Sequence, residues 1–415
     1  MKRILCLLFA ALLLTGCKSQ AESGSASGTY EQTNSGISRS IQSVLADAPA
    51  EFARLQEKTV YNNLNFDCAD LSLPTAEGDL YALNLTRTKL SQDRYADLFL
   101  QTLSKTFSED TAADHDNLFF GSEAVPPEFN DFTLAYPRIY DGNYESKIRS
   151  GGLDCYVLLY QTDTERAHES DRYFMLSADG GIKMNRGTCT RSIEMNRALA
   201  GWMPRDNYEV RKWYTPDSED SFQLSNGKSR ICDAAAYCQQ YLSSDVFPEE
   251  MRTAKWQTKT VGIMNTDSEH HAFYFLLTRE YGGIPFDSLH TEGAFSDFSD
   301  GNEYLFDGSE ALMMESGEIE YYYLMNTADK IIPAEQPASN VISLQAAAKA
   351  VSGTLTKAFA FDVQDISLVY CNKKISETES EARAHWRFVL RNPNDERTYV
   401  VYVDAETGDS FYYAY

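Results

Sequence analysis

The apolar residues at the start of the chain form one short continuous run. This run, residues 4–14, follows the basic start Met1-Lys2-Arg3. It is shorter than the about 20 apolar residues that a membrane-spanning helix needs. A basic start, a short apolar segment and small residues after it are typical of a secretory signal. We therefore interpret residues 1–16 as a signal peptide.

The apolar run ends in Leu14-Thr15-Gly16-Cys17. This order of one aliphatic residue, two small residues and a cysteine resembles the lipobox of bacterial lipoproteins. The resemblance implies cleavage between Gly16 and Cys17 and a lipid with two acyl chains on Cys17. Because two acyl chains give a stable anchor, it also implies a place on the extracytoplasmic face of the cell membrane. An ordinary signal peptide with a chance cysteine is the alternative. The polar residues of 17–38 predict a flexible tether.

The next stretch, 39–214, switches between helical and strand-like spacing of its apolar residues. A hairpin turn is predicted at 178–181, where the sequence is Ala-Asp-Gly-Gly. We expect an N-terminal α+β domain here, followed by a polar linker at 215–229. Helices are predicted at 41–56 and 95–107. Strands are predicted at 80–85, 132–139, 154–161 and 172–177.

Residues 333–415 have the clearest pattern, a helix followed by four alternating strands. Ser343 is a residue type that caps helices. The apolar face of the helix that follows consists of Leu344, Ala347, Ala348, Val351 and Leu355. One helix packed on a four-stranded antiparallel meander is expected. We expect this part to fold on its own, since it has the length of a small domain.

The alternation of residues along the second of these strands distinguishes the two faces of the meander. Trp386, Phe388 and Leu390 alternate along it, so they share the face that we expect to pack on the helix. Arg387 then lies on the opposite face. We expect that face, or an edge strand, to be free for a partner.

The same order of elements occurs once before, in residues 229–332. The Ala-Ala-Ala triplets that begin at Ala234 and Ala346 are 112 residues apart, and the strand positions Phe273 and Trp386 are 113 residues apart. Because two different elements repeat at nearly equal separation, we interpret the pair as a divergent tandem duplication.

Both copies resemble PepSY-type domains. The residues that support the resemblance are Ile342-Ser343-Leu344 at the start of the helix, Trp386-x-Phe388 in the strand, and the ending Val403-Asp404-Ala405-Glu406-Thr407-Gly408. That ending is similar to the family's VDAxTG motif and is absent from the earlier copy.

The tandem arrangement, with Gly-Ile-Pro at 283–285, resembles the extracytoplasmic regulators of cell-wall sensor kinases. The resemblance implies an α+β chain with an N-terminal domain (39–214) and two PepSY-like modules (229–332 and 333–415). It also implies a protein partner outside the cell, namely a peptidase or a sensor kinase.

Composition excludes one class of partner. Formal net charge is −24 with 61 acidic and 37 basic residues, and loss of the signal peptide removes two more basic side chains. So acidic a surface disfavours nucleic acid. The 13% of aromatic residues favours strands.

The cysteines leave two alternatives open. Without Cys6 and Cys17 an even number remains, which permits disulfides in an exported protein, but no CxxC spacing occurs. Packing as small free thiols is the other interpretation. The six residues are Cys68, Cys155, Cys189, Cys232, Cys238 and Cys371.

No local motif of catalysis or of metal or cofactor binding stands out. Glu269-His270-His271 offers at most two ligands on one strand face, and 297–303 lacks the acid spacing of a calcium loop. The two Gly-Ser-Glu-Ala sequences, at 121–124 and 308–311, are expected to be turns that open strands. In the aromatic runs 321–323 and 411–413, alternate rings are expected to fill the core and the others to cover a sheet face. A groove for carbohydrate or peptide is the alternative.

These observations favour a non-enzymatic, lipid-anchored extracytoplasmic protein that contacts another protein. A ligand-binding lipoprotein that captures peptide or cell-wall fragments is a second hypothesis, and a deep polar pocket would favour it. A hydrolase without a local motif is a third, and a nucleophile hydrogen-bonded to a base would favour that one.

Overall fold

The computed structural model describes 39–57, 61–87, 210, 212–244, 255–265, 269–288, 298–324, 329–376, 378–394 and 397–415, with the backbone of strands at 119–120, 155–160, 172–177, 182–185 and 294–295. Three helices lie in these ranges: α1 (Ile41–Glu57), α2 (Ile231–Leu242) and α3 (Leu344–Thr354). No helix in the described ranges has the length and apolar content that crossing a bilayer requires.

The longest of the described strands lie after residue 250. In chain order they are β1 (Leu64–Asn65), β2 (Asp70–Ser72), β3 (Leu83–Arg87), β4 (Phe119–Phe120), β5 (Cys155–Tyr160), β6 (Arg172–Ser177), β7 (Ile182–Asn185), β8 (Lys212–Tyr214), β9 (Ser221–Leu224), β10 (Gly227–Arg230), β11 (Lys255–Asn265), β12 (His271–Tyr281), β13 (Ile284–Pro285), β14 (Ala294–Phe295), β15 (Tyr304–Leu305), β16 (Ser309–Met313), β17 (Ile319–Leu324), β18 (Asp329–Pro333), β19 (Phe361–Lys374), β20 (Glu379–Arg391), β21 (Thr398–Asp404) and β22 (Ser410–Ala414). The chain is of the α+β class.

Two sheets contain nearly all of these strands. Sheet 1 has the order β14-β15-β19-β20-β21-β22, and β1, β2, β3 and β18 join it at its sides. Sheet 2 has the order β4-β5-β6-β7-β17-β16-β12-β11-β8, and β13 pairs with β12. Strands β19 to β22 form the antiparallel meander that the alternating pattern predicts.

The described strands of 39–214 lie in the two large sheets. β1 and β2 pair in parallel with β19, and β3 lies between β18 and β20. β7 pairs with β17, which joins the β5-β6-β7 strands to sheet 2. The predicted linker at 215–229 is wrong in one respect, because β9 and β10 form an antiparallel hairpin there. The predicted elements at 95–107 and 132–139 lie outside the described residues.

Each sheet packs one face against a helix. The inner face of sheet 1 brings Trp386, Phe388 and Leu390 into one cluster with residues of α3, so the predicted face is confirmed. α1 and β3 contribute to the same cluster. The inner face of sheet 2 packs Phe273 and Phe275 against α2.

The outer face of sheet 1 is covered, contrary to the expectation of a free face. Phe298 and Tyr304 lie over Tyr402 and Phe411 of β21 and β22 in a second apolar cluster. They belong to the segment between β13 and β16 of the earlier copy, so this segment forms the cover. Because both faces of the meander are buried, the residues that alternate with Trp386 and Phe388 along β20 also lie in the protein interior.

Candidate functional site

A tight hairpin carries the chain from sheet 2 to sheet 1. Tyr281 pairs with Ile284, so the loop between β12 and β13 has two residues. Both are glycines with positive φ, 57° for Gly282 and 77° for Gly283, as in a type I′ turn. A Cβ on Gly283 would lie 1.8 Å from the Thr75 carbonyl oxygen. Only glycine therefore fits at position 283, where the chain passes from sheet 2 to sheet 1.

The residue after this hairpin, Phe286, bridges to Tyr370 of β19. The Asp287 backbone N–H then donates to the Tyr370 carbonyl oxygen at 2.9 Å. This pairing places Asp287, which is 2% exposed, on the outer face of sheet 1. A buried carboxylate requires a partner there.

Arg387 supplies that partner. It stands between Trp386 and Phe388 on β20, so strand alternation directs it to the outer face. Its Nε lies 3.4 Å from Asp287 Oδ1, and its Nη1 lies 3.3 Å from Asp365 Oδ2. The Tyr402 hydroxyl donates to the other oxygen of Asp287. Six charged and hydroxyl-bearing side chains form one cluster here, which we call the polar joint: Lys259, Asp287, Ser288, Asp365, Arg387 and Tyr402.

Electrostatics inside the polar joint follow from burial and from opposite charges. Burial works against the charge of Arg387, but Asp287, Tyr402 and Asp365 outweigh it and raise the pKa of the guanidinium. Burial raises the pKa of Asp365, and Arg387 opposes that rise. The pKa of Lys259 is lowered by burial of its ammonium group and by the nearby Arg387. The rest of the Lys259 residue is exposed to solvent.

A second buried ion pair lies beside the joint. Arg279 of β12 donates to Asp307 from Nε at 2.6 Å and from Nη2 at 3.1 Å. The Asp307 N–H donates to the Asp287 carbonyl oxygen at 3.0 Å. The guanidinium also lies 4.9 Å from the centre of the Phe286 ring. The two ion pairs and this backbone bond link sheet 2 to the covered face of sheet 1.

One contact bears on the hydrolase hypothesis, and one cleft bears on the ligand-binding hypothesis. Lys259 Nζ lies 3.3 Å from Ser288 Oγ, so a hydroxyl and an amine with a lowered pKa are in contact. A cleft between Tyr81, Arg383 and Glu406 has a volume of about 10 Å³, which is room for one water molecule. This cleft is too small for a peptide or sugar.

The VDAxTG-like ending has a structural role in this chain. Asp404 Oδ1 accepts hydrogen bonds from the N–H groups of Glu406 and Thr407, each at 2.8 Å. Its other oxygen accepts from Arg383 Nε at 2.8 Å. Gly408 completes the turn with a φ of 78°. The motif therefore builds the β21–β22 turn.

The other predicted sites take ordinary places. Gly16 and Cys17 lie outside the described residues. His271 Nδ1 contacts the Gln223 carbonyl oxygen at 3.3 Å, and the described residues contain no group of three or more metal-ligating side chains. Asp300 accepts from the Asn302 N–H at 3.1 Å, so its carboxylate stabilises a local turn. The aromatic runs are mostly buried.

The cysteines that the structure describes are free. They are Cys68, Cys232, Cys238 and Cys371. Burial raises the pKa of Cys238 and of Cys371, so both stay thiols at neutral pH. The side chains of Cys155 and Cys189 lie outside the described residues.

None of the residues predicted from the sequence is Asp287, Asp365 or Lys259. A usable signal was present at Arg387 and Arg279, because each interrupts an apolar strand segment. A charge within a strand that is buried on both faces needs a counter-ion. That signal predicts a pair, but it does not name the partner.

Comparison with known proteins gives no family. No family model matches the chain, and no curated protein matches it. A solved structure of an uncharacterized protein from Eubacterium rectale aligns at 10% identity with a TM-score of 0.48, over 83% of this chain and 90% of that one. The Bacillus megaterium YpeB C-terminal domain aligns at 11% identity with a TM-score of 0.23, over 70% and 96%. At these TM-scores the likenesses do not establish a shared fold.

Proposed function

We propose that this chain is a non-enzymatic, lipid-anchored extracytoplasmic protein whose two PepSY-like modules bind another protein, a peptidase or a sensor kinase. The observation that carries the proposal is the polar joint. Arg387 of sheet 1 pairs there with Asp287, in the segment that leaves sheet 2, and with Asp365 of β19. This internal pairing of charges supports a rigid scaffold.

The pairing of strands supports two modules of common origin. Phe275 lies opposite Val261 on one side and opposite Ala311 on the other. Phe388, 113 residues later, lies opposite Ile366 and Val401. Each central strand is thus flanked by the equivalent strands in equivalent register, and a one-residue slip in either copy would turn its apolar face outward.

The membrane anchor is proposed from the lipobox-like sequence that ends at Cys17. Replacing Cys17 by Ser is expected to move the protein from the membrane fraction to the soluble exported fraction. Labelled fatty acid should enter the wild-type protein and not the variant. Membrane retention of Cys17→Ser, together with no label in the wild type, would contradict the anchor.

The partner is to be captured from intact cells. Large apolar side chains exposed on the described surface include Trp213, Ile375 and Tyr415, and such residues are enriched where proteins meet. A photo-crosslinking amino acid at each of these positions should trap a peptidase or a sensor kinase. The same amino acid at Lys349, on the exposed side of α3, is the matched control. Equal trapping at the control, or none at any position, would contradict the proposal.

A hydrolase is the second candidate, because Ser288 Oγ contacts Lys259 Nζ at 3.3 Å. The lowered pKa of Lys259 makes its amine lose a proton more readily, and a deprotonated amine can take the proton of a serine that attacks a carbonyl carbon. A fluorophosphonate reagent should then phosphonylate Ser288 with loss of fluoride. The Ser288→Ala variant is the control, and mass spectrometry reads the adduct. Absence of an adduct on wild-type Ser288 would remove this candidate.

A further inference from the structure

His385 is enclosed on the outer face of sheet 1. It is 6% exposed and lies on β20 with Val369 and Asp404 as cross-strand neighbours. Ring centres of Phe411 and Tyr402 lie 5.4 Å and 6.4 Å from its own, both nearly perpendicular to it. The histidine is therefore part of the aromatic layer under the segment that follows β13.

One hydrogen bond sets the tautomer of this histidine. Nδ1 lies 2.8 Å from the Arg383 carbonyl oxygen. Because a carbonyl oxygen only accepts, Nδ1 carries the proton and Nε2 is the unprotonated nitrogen. A second proton would have to enter at Nε2 and would place a charge in the aromatic layer.

The described charged and titratable groups around His385 come from four elements. β20 contributes Arg383 and Arg387, β21 contributes Asp404 and Tyr402, β19 contributes Cys371, and the segment after β13 contributes Asp287. Asp404 is the nearest source of compensating charge, but it already accepts hydrogen bonds from Arg383 and from two backbone N–H groups. The neighbouring arginines repel a third cation.

We propose that His385 is a proton-operated latch: a second proton on its imidazole loosens the aromatic layer that covers the outer face of sheet 1. The latch is closed at neutral pH and opens in mildly acidic surroundings. An exported protein meets the pH of its medium directly, so the biological setting rests on the proposed function. The latch itself is a property of the folded chain and is tested without anchor or partner.

The direction of the pH effect follows from burial. Burial lowers the pKa of His385, and Asp404 opposes that shift. A base whose pKa is lower in the folded protein than in the unfolded chain binds more protons when unfolded, so folding stability falls as pH falls. The full stability is present above the unfolded pKa of about 6.5. It is lost from there down to the folded pKa.

Equilibrium unfolding in denaturant at pH 7.5 and pH 5.5 tests the latch on residues 17–415 with Cys17→Ser. The unfolding constant of the protein with His385 should rise by up to about tenfold more than that of His385→Gln over this range. Glutamine can donate to the Arg383 carbonyl but does not titrate. The matched control is His271→Gln on β12, which should keep the acid sensitivity. Parallel pH profiles with and without His385 would overturn the proposal.

A second measurement needs no substitution at position 385. NMR titration of the imidazole should show His385 resisting protonation below pH 6.5. Amide exchange of β22, corrected for the intrinsic effect of pH, should accelerate relative to the core of sheet 2 once His385 titrates. Titration of His385 at or above about 6.5 would overturn the latch even if the glutamine variant fails to fold.

Discussion

The two halves of the molecule place similar strands in similar pairings but treat their outer faces differently. On sheet 2 the position equivalent to Arg387 is Tyr274, whose hydroxyl donates to Glu310. Tyr321 donates to the same carboxylate at 2.6 Å, and Met264 and Leu312 beside them are buried. On sheet 1 the outer face carries Arg387 and its carboxylates. The same strand arrangement therefore carries tyrosines that share one carboxylate on sheet 2, and an arginine paired with two carboxylates on sheet 1.

The difference arises where the chain crosses between the halves. The segment after β13 leaves sheet 2 and brings Asp287 over sheet 1, where Tyr402 and Arg387 hold it. A buried ion pair adds little net stability compared with apolar packing, but breaking it is costly. The Asp287–Arg387 pair therefore helps to hold this segment over sheet 1, beside the apolar packing of Phe298.

The helices of the two halves also begin differently. Ser343 accepts a hydrogen bond from the Ala346 N–H at 3.2 Å, and Glu51 of α1 accepts from the Gln345 N–H at 3.0 Å. Helix α2 begins after Arg230, which makes no side-chain cap. Its first N–H groups instead donate to backbone carbonyl oxygens of 218–220. α3 thus depends on side chains, and α2 depends on a preceding loop.

The largest expected effect separates the carboxyl-terminal part from the rest. A fragment of 333–415 is expected to lack a cooperative melting transition, contrary to the expectation from the sequence. It loses β3, which lies between β18 and β20, and it loses Asn63, whose Nδ2 donates to the Ser352 carbonyl oxygen at 2.9 Å. Circular dichroism during heating is the measurement, with 39–415 as the control. A cooperative transition of the isolated fragment would contradict this dependence.

The outer faces are compared by substituting equivalent positions. Arg387→Met should destabilise the protein by about 3–5 kcal/mol, because Asp287 is left buried without its counter-ion. Tyr274→Phe should cost only about 0.5–1.5 kcal/mol for one hydrogen bond. Denaturant unfolding of both variants measures the free energies. Adding Asp287→Asn to Arg387→Met should recover part of the loss. A cost below about 0.5 kcal/mol for Arg387→Met would mean that this face is open to solvent, since that is the range of surface substitutions.

The smallest effect concerns the helix starts. Ser343→Ala is expected to cost about 1 kcal/mol, the usual value of an N-cap side chain. Ser343→Asp should retain most of the stability because a carboxylate also caps. Arg230→Ala removes no cap, so it tests whether α2 is independent of its N-cap side chain. Thermal unfolding compares the three, and equal losses for Ser343→Ala and Ser343→Asp would exclude a capping role.

Local signals in the sequence are enough to predict the helices and the apolar face of β20. Helical spacing predicted α1, α2 and α3, and alternation predicted that Trp386, Phe388 and Leu390 share the helix-facing side. The turn predicted at 178–181 agrees with the antiparallel pairing of β6 and β7. These features depend on residues within a few positions of one another, where backbone geometry limits the choices.

How distant segments meet depends on the whole folded chain. Sequence spacing does not show that β3 inserts beside β20, or that Asp287 reaches Arg387 from 100 positions away. Nor does it show that the face carrying Arg387 and His385 is covered, because alternation distinguishes two faces without saying what lies against each. Strand pairing is decided by burial and hydrogen bonding across the whole chain. For this reason the elements of this protein were readable from its sequence, and its polar joint was not.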